Sequence, residues 1–230
     1  MAAKTLESIM GVIEARREYS KDGIKRVVDL ERVIDRYEDK LGNYLFKLTT
    51  SDLDDEHSSE VSKDLKVLSD FERMSDHARN IAESVEEIHE KKIVFSDSAL
   101  RELHTLEEAI REITNLTIFS FANNSYDNAL RVDPLEEVID DICDTMKANH
   151  VERISRQECT LEHGFVFNDI ITDYERISDH CSNIALDVLE AVSEIEGKHA
   201  YHKQPSFRHD DFFKNNFAEF KKQFEIEPLK

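Results

Sequence analysis

The chain carries one thirteen-residue segment twice. Asp70–Ala82 reads DFERMSDHARNIA and Asp173–Ala185 reads DYERISDHCSNIA, with nine positions identical at a displacement of 103 residues. Two further positions, Phe71/Tyr174 and Met74/Ile177, keep their chemical type. Chance at average residue frequencies would give about one match. The chain is therefore a tandem repeat. Each unit is expected to be one structural module, and polar residues present in both copies become candidates for a repeated site.

The flanking sequence fits helices. Charged residues make up 35% of the 230 residues, with five Gly, three Pro and no Trp, a composition that suits an all-α protein better than a sheet. Residues 2–19 place Leu6, Ile9, Met10 and Ile13 at helical spacing, and Ser20 is the expected cap of a second helix. There Val27, Leu30, Ile34, Tyr37, Leu41, Tyr44 and Leu48 alternate steps of three and four, a heptad seam expected to face the bundle. A polar linker, Thr49–Asp55, offers Asp54 or Asp55 as cap for a third helix. Its seam is Phe71, Met74, Ala78, Ile81, Val85 and Ile88, and it ends near Lys91 and Lys92.

Ser96 opens the second unit, with a helix through Leu103, Leu106, Ile110, Ile113 and Leu116 to about Asn124. Ser125 repeats Ser20 at a displacement of 105. Asp133-Pro134-Leu135-Glu136 reads as a cap followed by first-turn proline, where a fifth helix starts or restarts with seam Leu135, Ile139, Ile142 and Met146. A linker from Gln157 to Gly164 precedes a sixth helix through Tyr174, Ile177, Cys181, Ile184, Val188, Ala191 and Ile195, which Gly197 is expected to stop. The expected architecture is two tandem three-helix bundles, residues 1–95 and 96–197, followed by a linker and a Phe-rich C-terminal helix in 198–230. The first helix of unit one is expected to be shorter than its counterpart by about one or two turns, as though something upstream had been lost. Phe213, Phe217, Phe220 and Phe224 fall on one side of the last helix, which is expected to dock across a bundle groove.

The acids carry the chemistry. Glu72 and Asp76 lie four residues apart on one helix face, beside the apolar seam, and Glu175 and Asp179 repeat them. The middle helices add Glu31 and Asp35 within LERVID and Glu136 and Asp140 within LEEVID. If the pairs pack level, four carboxylates converge in each unit. That arrangement is costly unless a cation sits among them. Iron, manganese, magnesium or calcium accept such oxygen shells. Asn80 and Asn183 could add a carbonyl, and His77 and His180 are read equally as metal neighbours or as contacts between helices. Acidic pairs at this spacing also occur on solvated helices, and Arg73 and Arg176 lie within the motifs to neutralise them.

Other classes are excluded or disfavoured. With 50 Asp+Glu against 30 Lys+Arg, the net charge of -20 repels nucleic acid and anionic lipid. No run of about 18 apolar residues is present and the N-terminus lacks an apolar signal core, so neither membrane insertion nor a secretory leader is expected and the cytoplasm is the default compartment. Cys143, Cys159 and Cys181 form no C-x-x-C, and Cys181 lies on the apolar stripe. A di-iron carboxylate enzyme needs two facing E-x-x-H elements. Here Glu86–His89 and Glu196–His199 have the spacing but are not repeat-equivalent. No nucleophile–base arrangement is visible.

The E-R-[MI]-S-D-H-x-x-N-I-A segment in each half, with E-x-V-I-D in the middle helices, resembles the PhoU family of phosphate-uptake regulators. It is most similar to the PhoU-like cytosolic domain at the C-terminus of bacterial sodium/phosphate cotransporters, which has a similar Glu-Cys-x-x-x-x-Gly linker, here Glu158-Cys159 to Gly164. The resemblance covers about residues 1–196. It implies a six-helix double bundle that regulates rather than catalyses, restraining phosphate import by contact with a transporter membrane component or a phosphate-sensing kinase. It also implies metal sites, among them multinuclear iron, with zinc, manganese or magnesium as alternatives. Glu31, Asp35, Glu72 and Asp76 would form one patch, and Glu136, Asp140, Glu175 and Asp179 the other. A homodimer is compatible with it, as is a detached cytosolic part of a transporter. The alternative without metal is a helical adaptor or oligomerisation module.

Overall fold

The computed structural model describes residues 1–49, 55–195 and 211–229. These form α1 (Ala2–Arg17), α2 (Lys21–Thr49), α3 (Asp55–Lys91), α4 (Asp97–Asn123), α5 (Tyr126–Ala129), α6 (Val132–Ser155), α7 (Leu161–Ile195) and α8 (Asp211–Gln223), with no strand among the described residues. Helices α1 to α3 pack on one another, as do α4, α6 and α7. The two sets meet chiefly along α3 and α7.

Local chemistry places the ends. Ser20 Oγ accepts from Gly23 N (3.1 Å), so the expected cap of α2 forms, and Ser96 Oγ caps α4 by accepting from Ala99 N (3.3 Å). Thr160 Oγ1 accepts from His163 N (3.3 Å) at the start of α7. Lys92, Asn124 and Gln157 end α3, α4 and α6 with positive φ of 55°, 48° and 60°. The Asp54 cap and the Gly197 stop lie outside the described residues, as does Glu196–His199.

Pairs along α3 and α7 run in opposite senses, Lys66 with Asp187, His77 with Asp173 and Lys91 with Glu162, so the helices are antiparallel. The core runs through both units and includes the expected seams Phe71, Met74, Ala78 and Ile81 and Tyr174, Ile177, Cys181 and Ile184, all buried. Burial pushes the Cys181 thiol up to about 12, which makes it a small apolar filler rather than a nucleophile. Between the units, the buried carboxylate of Glu107 accepts from Arg16 Nη2 (2.7 Å), Arg17 Nε (2.8 Å) and Tyr174 Oη (3.3 Å), pinning α1 to α4 and α7.

Several boundaries differ from the sequence expectation. Helix α1 has 16 residues and α4 has 27, a gap of eleven residues, or about three turns rather than one or two. Pro134 lies inside the first turn of α6, whose cap position is Arg131; Asp133 already belongs to the helix, and α5 supplies the restart. Gly164 lies in the first turn of α7, not in the linker. It has a packing role there, because a Cβ at this position would come within 2.4 Å of His150 Nε2. The seam of α2 is buried only to Ile34; Tyr37, Leu41 and Tyr44 are exposed.

The phenylalanine helix docks as expected. Phe213, Phe220 and Phe224 are buried, Arg131 lies over the Phe220 ring at 5.3 Å, and Lys221 Nζ donates to Asp141 Oδ2 (2.7 Å). Beyond α8, Leu229 N donates to Asn149 Oδ1 (2.7 Å), and Asn149 Nδ2 donates to the Glu227 carbonyl (3.1 Å).

Candidate metal centres on the paired helices

Both E-x-x-x-D pairs of each unit flank the apolar seams, but the two patches are built differently. On α6 and α7, one ligand atom each from Glu136, Asp140 and Asp179 lies within 4.8 Å of the others, the one such trio among the described residues. Asp140 Oδ1 is buried and has no hydrogen-bond partner. Burial first, then the charges of Asp179 and Glu175, push the Asp140 carboxyl up to about 6. Glu175 stands apart from the trio: Lys147 Nζ donates to its Oε2 at 2.6 Å. Arg176 donates from Nη1 to Asp179 Oδ2 (3.0 Å) on the solvent side.

On α2 and α3 the cation moves to the other helix. Arg79 Nη1 donates to Glu31 Oε1 (3.4 Å), and its Nε donates to Glu83 (3.1 Å). Glu72 and Asp76 are left facing each other, with Glu38 and Asp35 close by. Burial, then the charge of Asp76, push the Glu72 carboxyl up to about 7. Glu38 is raised by burial and by Asp35, Asp39 and Asp76, with Arg73 offsetting part of the effect.

In each patch one acid meets a cation, Glu31 with Arg79 and Glu175 with Lys147. These cations are not the expected pair Arg73 and Arg176. The sequence held the signal in where the repeats disagree. Arg79 stands opposite Ser182, Lys147 opposite Gly42, and the added acid Glu38 opposite the buried Cys143.

The remaining repeated residues hold the two units together. His77 Nδ1 meets Asp173 Oδ1 at 2.8 Å and His180 Nδ1 meets Asp70 Oδ1 at 2.8 Å. Asn80 and Asn183 donate to the same oxygens at 3.3 and 3.4 Å. The two imidazoles stack with centroids 5.7 Å apart. The carboxylates accept, so each imidazole donates from Nδ1. Of the two roles open to these histidines, the structure shows the one between helices. Asp70 and Asp173, which open the repeated segment, are therefore contact residues that reading one helix at a time does not reveal.

The same thirteen residues thus supply core, acid patch and a reciprocal contact between repeats. A family model described as the PhoU domain matches residues 1–85 and 103–188, most of the chain in two segments that each contain one copy of the motif. The chain belongs to the PhoU family. The phosphate-specific transport system accessory protein PhoU homolog 1 of Thermotoga maritima is 30% identical over 125 residues, 54% of this chain. The chain spans about half, 53%, of that relative's length. The crystal structure of PhoU from Pseudomonas aeruginosa superimposes with a TM-score of 0.77 at 18% identity, covering 86% of this chain and 93% of that one. The phosphate transport system regulatory protein PhoU from Streptococcus pneumoniae gives a TM-score of 0.72 at 18% identity, covering 84% and 90%. These likenesses establish the PhoU fold. Among the described residues, no helix is long and apolar enough to cross a membrane.

Proposed function

We propose that this PhoU protein is a non-enzymatic, cytoplasmic regulator of phosphate transport and homeostasis. It acts by contact with a membrane component of a phosphate transporter or with a phosphate-sensing kinase, and it binds metal ions through its E-x-x-x-D pairs. The family match across both repeats carries the regulatory part, and the name of the Thermotoga relative points to the same process. The convergence of Glu136, Asp140 and Asp179, with the buried Oδ1 of Asp140 lacking a partner, carries the metal part.

The donor set fits the metal. Three carboxylates are hard oxygen ligands suited to iron, manganese or magnesium, while zinc usually adds nitrogen or sulfur. In the second unit Glu136, Asp140 and Asp179 would hold the ion, with Glu175 joining by releasing Lys147. In the first, Glu72 and Asp76 would bind, with Asp35 beside them and Glu31 joining by releasing Arg79. A cation there offsets the mutual repulsion of the acids and ties the middle helix of each unit to its last helix.

The test is phosphate accumulation in cells lacking the protein. Deletion is expected to deregulate uptake in phosphate-replete medium, and the wild-type chain is expected to restore control. Unchanged uptake contradicts the regulatory reading.

A further inference from the structure

The buried amide of Asn149 engages main chain. Glu102, gripped by both terminal nitrogens of Arg153 (2.8 Å each), accepts from Asn149 Nδ2 (2.9 Å). A carboxylate only accepts, so this contact fixes which way the amide points. Nδ2 also donates to the Glu227 carbonyl (3.1 Å), and Oδ1 accepts from Leu229 N (2.7 Å). Asn149 and Arg153 are 2% and 1% exposed, so the amide is set by the bundle and not by the segment it holds. What it engages is a carbonyl and the N–H two residues further on, groups that nearly any extended chain offers.

The segment lying on it is loosely seated. Phe224 is buried and Ile226 half-buried, but Glu225, Glu227 and Pro228 are exposed. Phe224 borders a cavity on either side, one of about 330 Å³ against α6 and one of about 510 Å³ against α4. Around the first, Glu225 stands with Asp141 and Asp144, and Lys221 is the one cation among the lining residues. Like charges therefore crowd where the segment crosses α6. A stretch with few buried side chains opens at low cost. These residues also lie beyond those that match the family model.

We infer that the groove between α4 and α6 is a binding site for an extended basic–apolar segment of a partner protein, and that Phe224–Leu229 occupies it as an internal competitor. The Asn149 amide takes the partner's main chain, as it now takes that of Glu227 and Leu229. The floor under Phe224 and Ile226 takes its apolar side chains. Asp141 and Asp144 take a lysine or arginine in the place of Glu225. Charge decides for a basic partner over a second copy of this chain: the second copy's segment brings a glutamate to the same two acids, on a chain whose net charge is -20.

This inference does not rest on the metal or phosphate reading. Its probe is a fluorescein-labelled peptide of residues 221–230 with Glu225→Lys, titrated by anisotropy against the full chain. Saturable binding is expected, about tenfold weaker for the peptide that keeps Glu225 and about tenfold weaker for the Asp141→Asn/Asp144→Asn chain. It should be unchanged for Asp29→Asn, which alters an exposed acid of α2. Ile226→Ser, which loosens the internal competitor, should tighten binding by about fivefold or more, with circular dichroism showing that all chains stay folded. Absence of saturable binding to both the wild-type and the Ile226→Ser chain, no tightening by Ile226→Ser, or equal weakening by Asp29→Asn overturns the inference. A dimer in sedimentation that the peptide dissolves also overturns it, assigning the groove to a second copy.

Discussion

Replacing Glu72 by Gln should stabilise the metal-free protein above neutral pH. In the folded chain the Glu72 carboxyl titrates near 7 rather than at its ordinary 4.5, because burial and Asp76 disfavour its charge. The folded state therefore holds a proton that the unfolded chain releases. This contribution to stability is complete below about pH 4.5 and is lost as pH rises through about 7. The displacement corresponds to about 3 kcal/mol at about 1.36 kcal/mol per pH unit. Glu72 is only half-buried, and solvent screening reduces the usable part to about 1 kcal/mol. For a chain of this size that is about 2–4 °C in Tm. Thermal unfolding of wild type and Glu72→Gln in chelator, from pH 4 to 8, should show the variant level with wild type at pH 4 and more stable at pH 8. Added manganese or iron should reverse the order at pH 8, because the cation stabilises the wild-type pair. A variant no more stable than wild type at pH 8, or a gain that persists at pH 4, refutes the reasoning.

Two other substitutions probe the scaffold. Glu107→Gln removes the carboxylate shared by Arg16, Arg17 and Tyr174 and leaves Arg16 largely buried without its countercharge, so urea unfolding should show a loss of about 3–5 kcal/mol. Gly164→Ala drives a methyl into the His150 ring, which is held against Phe167 at 5.2 Å. It should cost about 1–3 kcal/mol, most of it recovered relative to His150→Ala alone in the double variant with His150→Ala.

Periodicity made the helices legible, because the three-four rhythm of the seams at Phe71 and Tyr174 is imposed by the same burial that the structure shows. It misled at Tyr37, Leu41 and Tyr44. The rhythm there is that of a packed helix, and a seam does not state its partner. The acids were legible through repetition, since Glu31, Asp35, Glu72 and Asp76 recur as Glu136, Asp140, Glu175 and Asp179. Their pairing with Arg79 and Lys147 was not, because each cation occurs in one repeat only and a search for shared residues passes over it. The reciprocal contacts of His77 with Asp173 and His180 with Asp70 depend on the antiparallel register of α3 and α7, which no local pattern specifies.

Metal binding by the α6–α7 trio is the central claim, and titration of chelator-stripped, untagged protein with manganese and ferrous iron, followed by elemental analysis after gel filtration, tests it most directly. Wild type should retain metal, the Asp140→Asn/Asp179→Asn variant should lose the ion of the second unit while keeping its helicity, and Lys147→Met should bind more tightly by releasing Glu175 to the ion. A wild-type chain that takes up neither metal, or a double variant that binds as wild type does, would contradict the account.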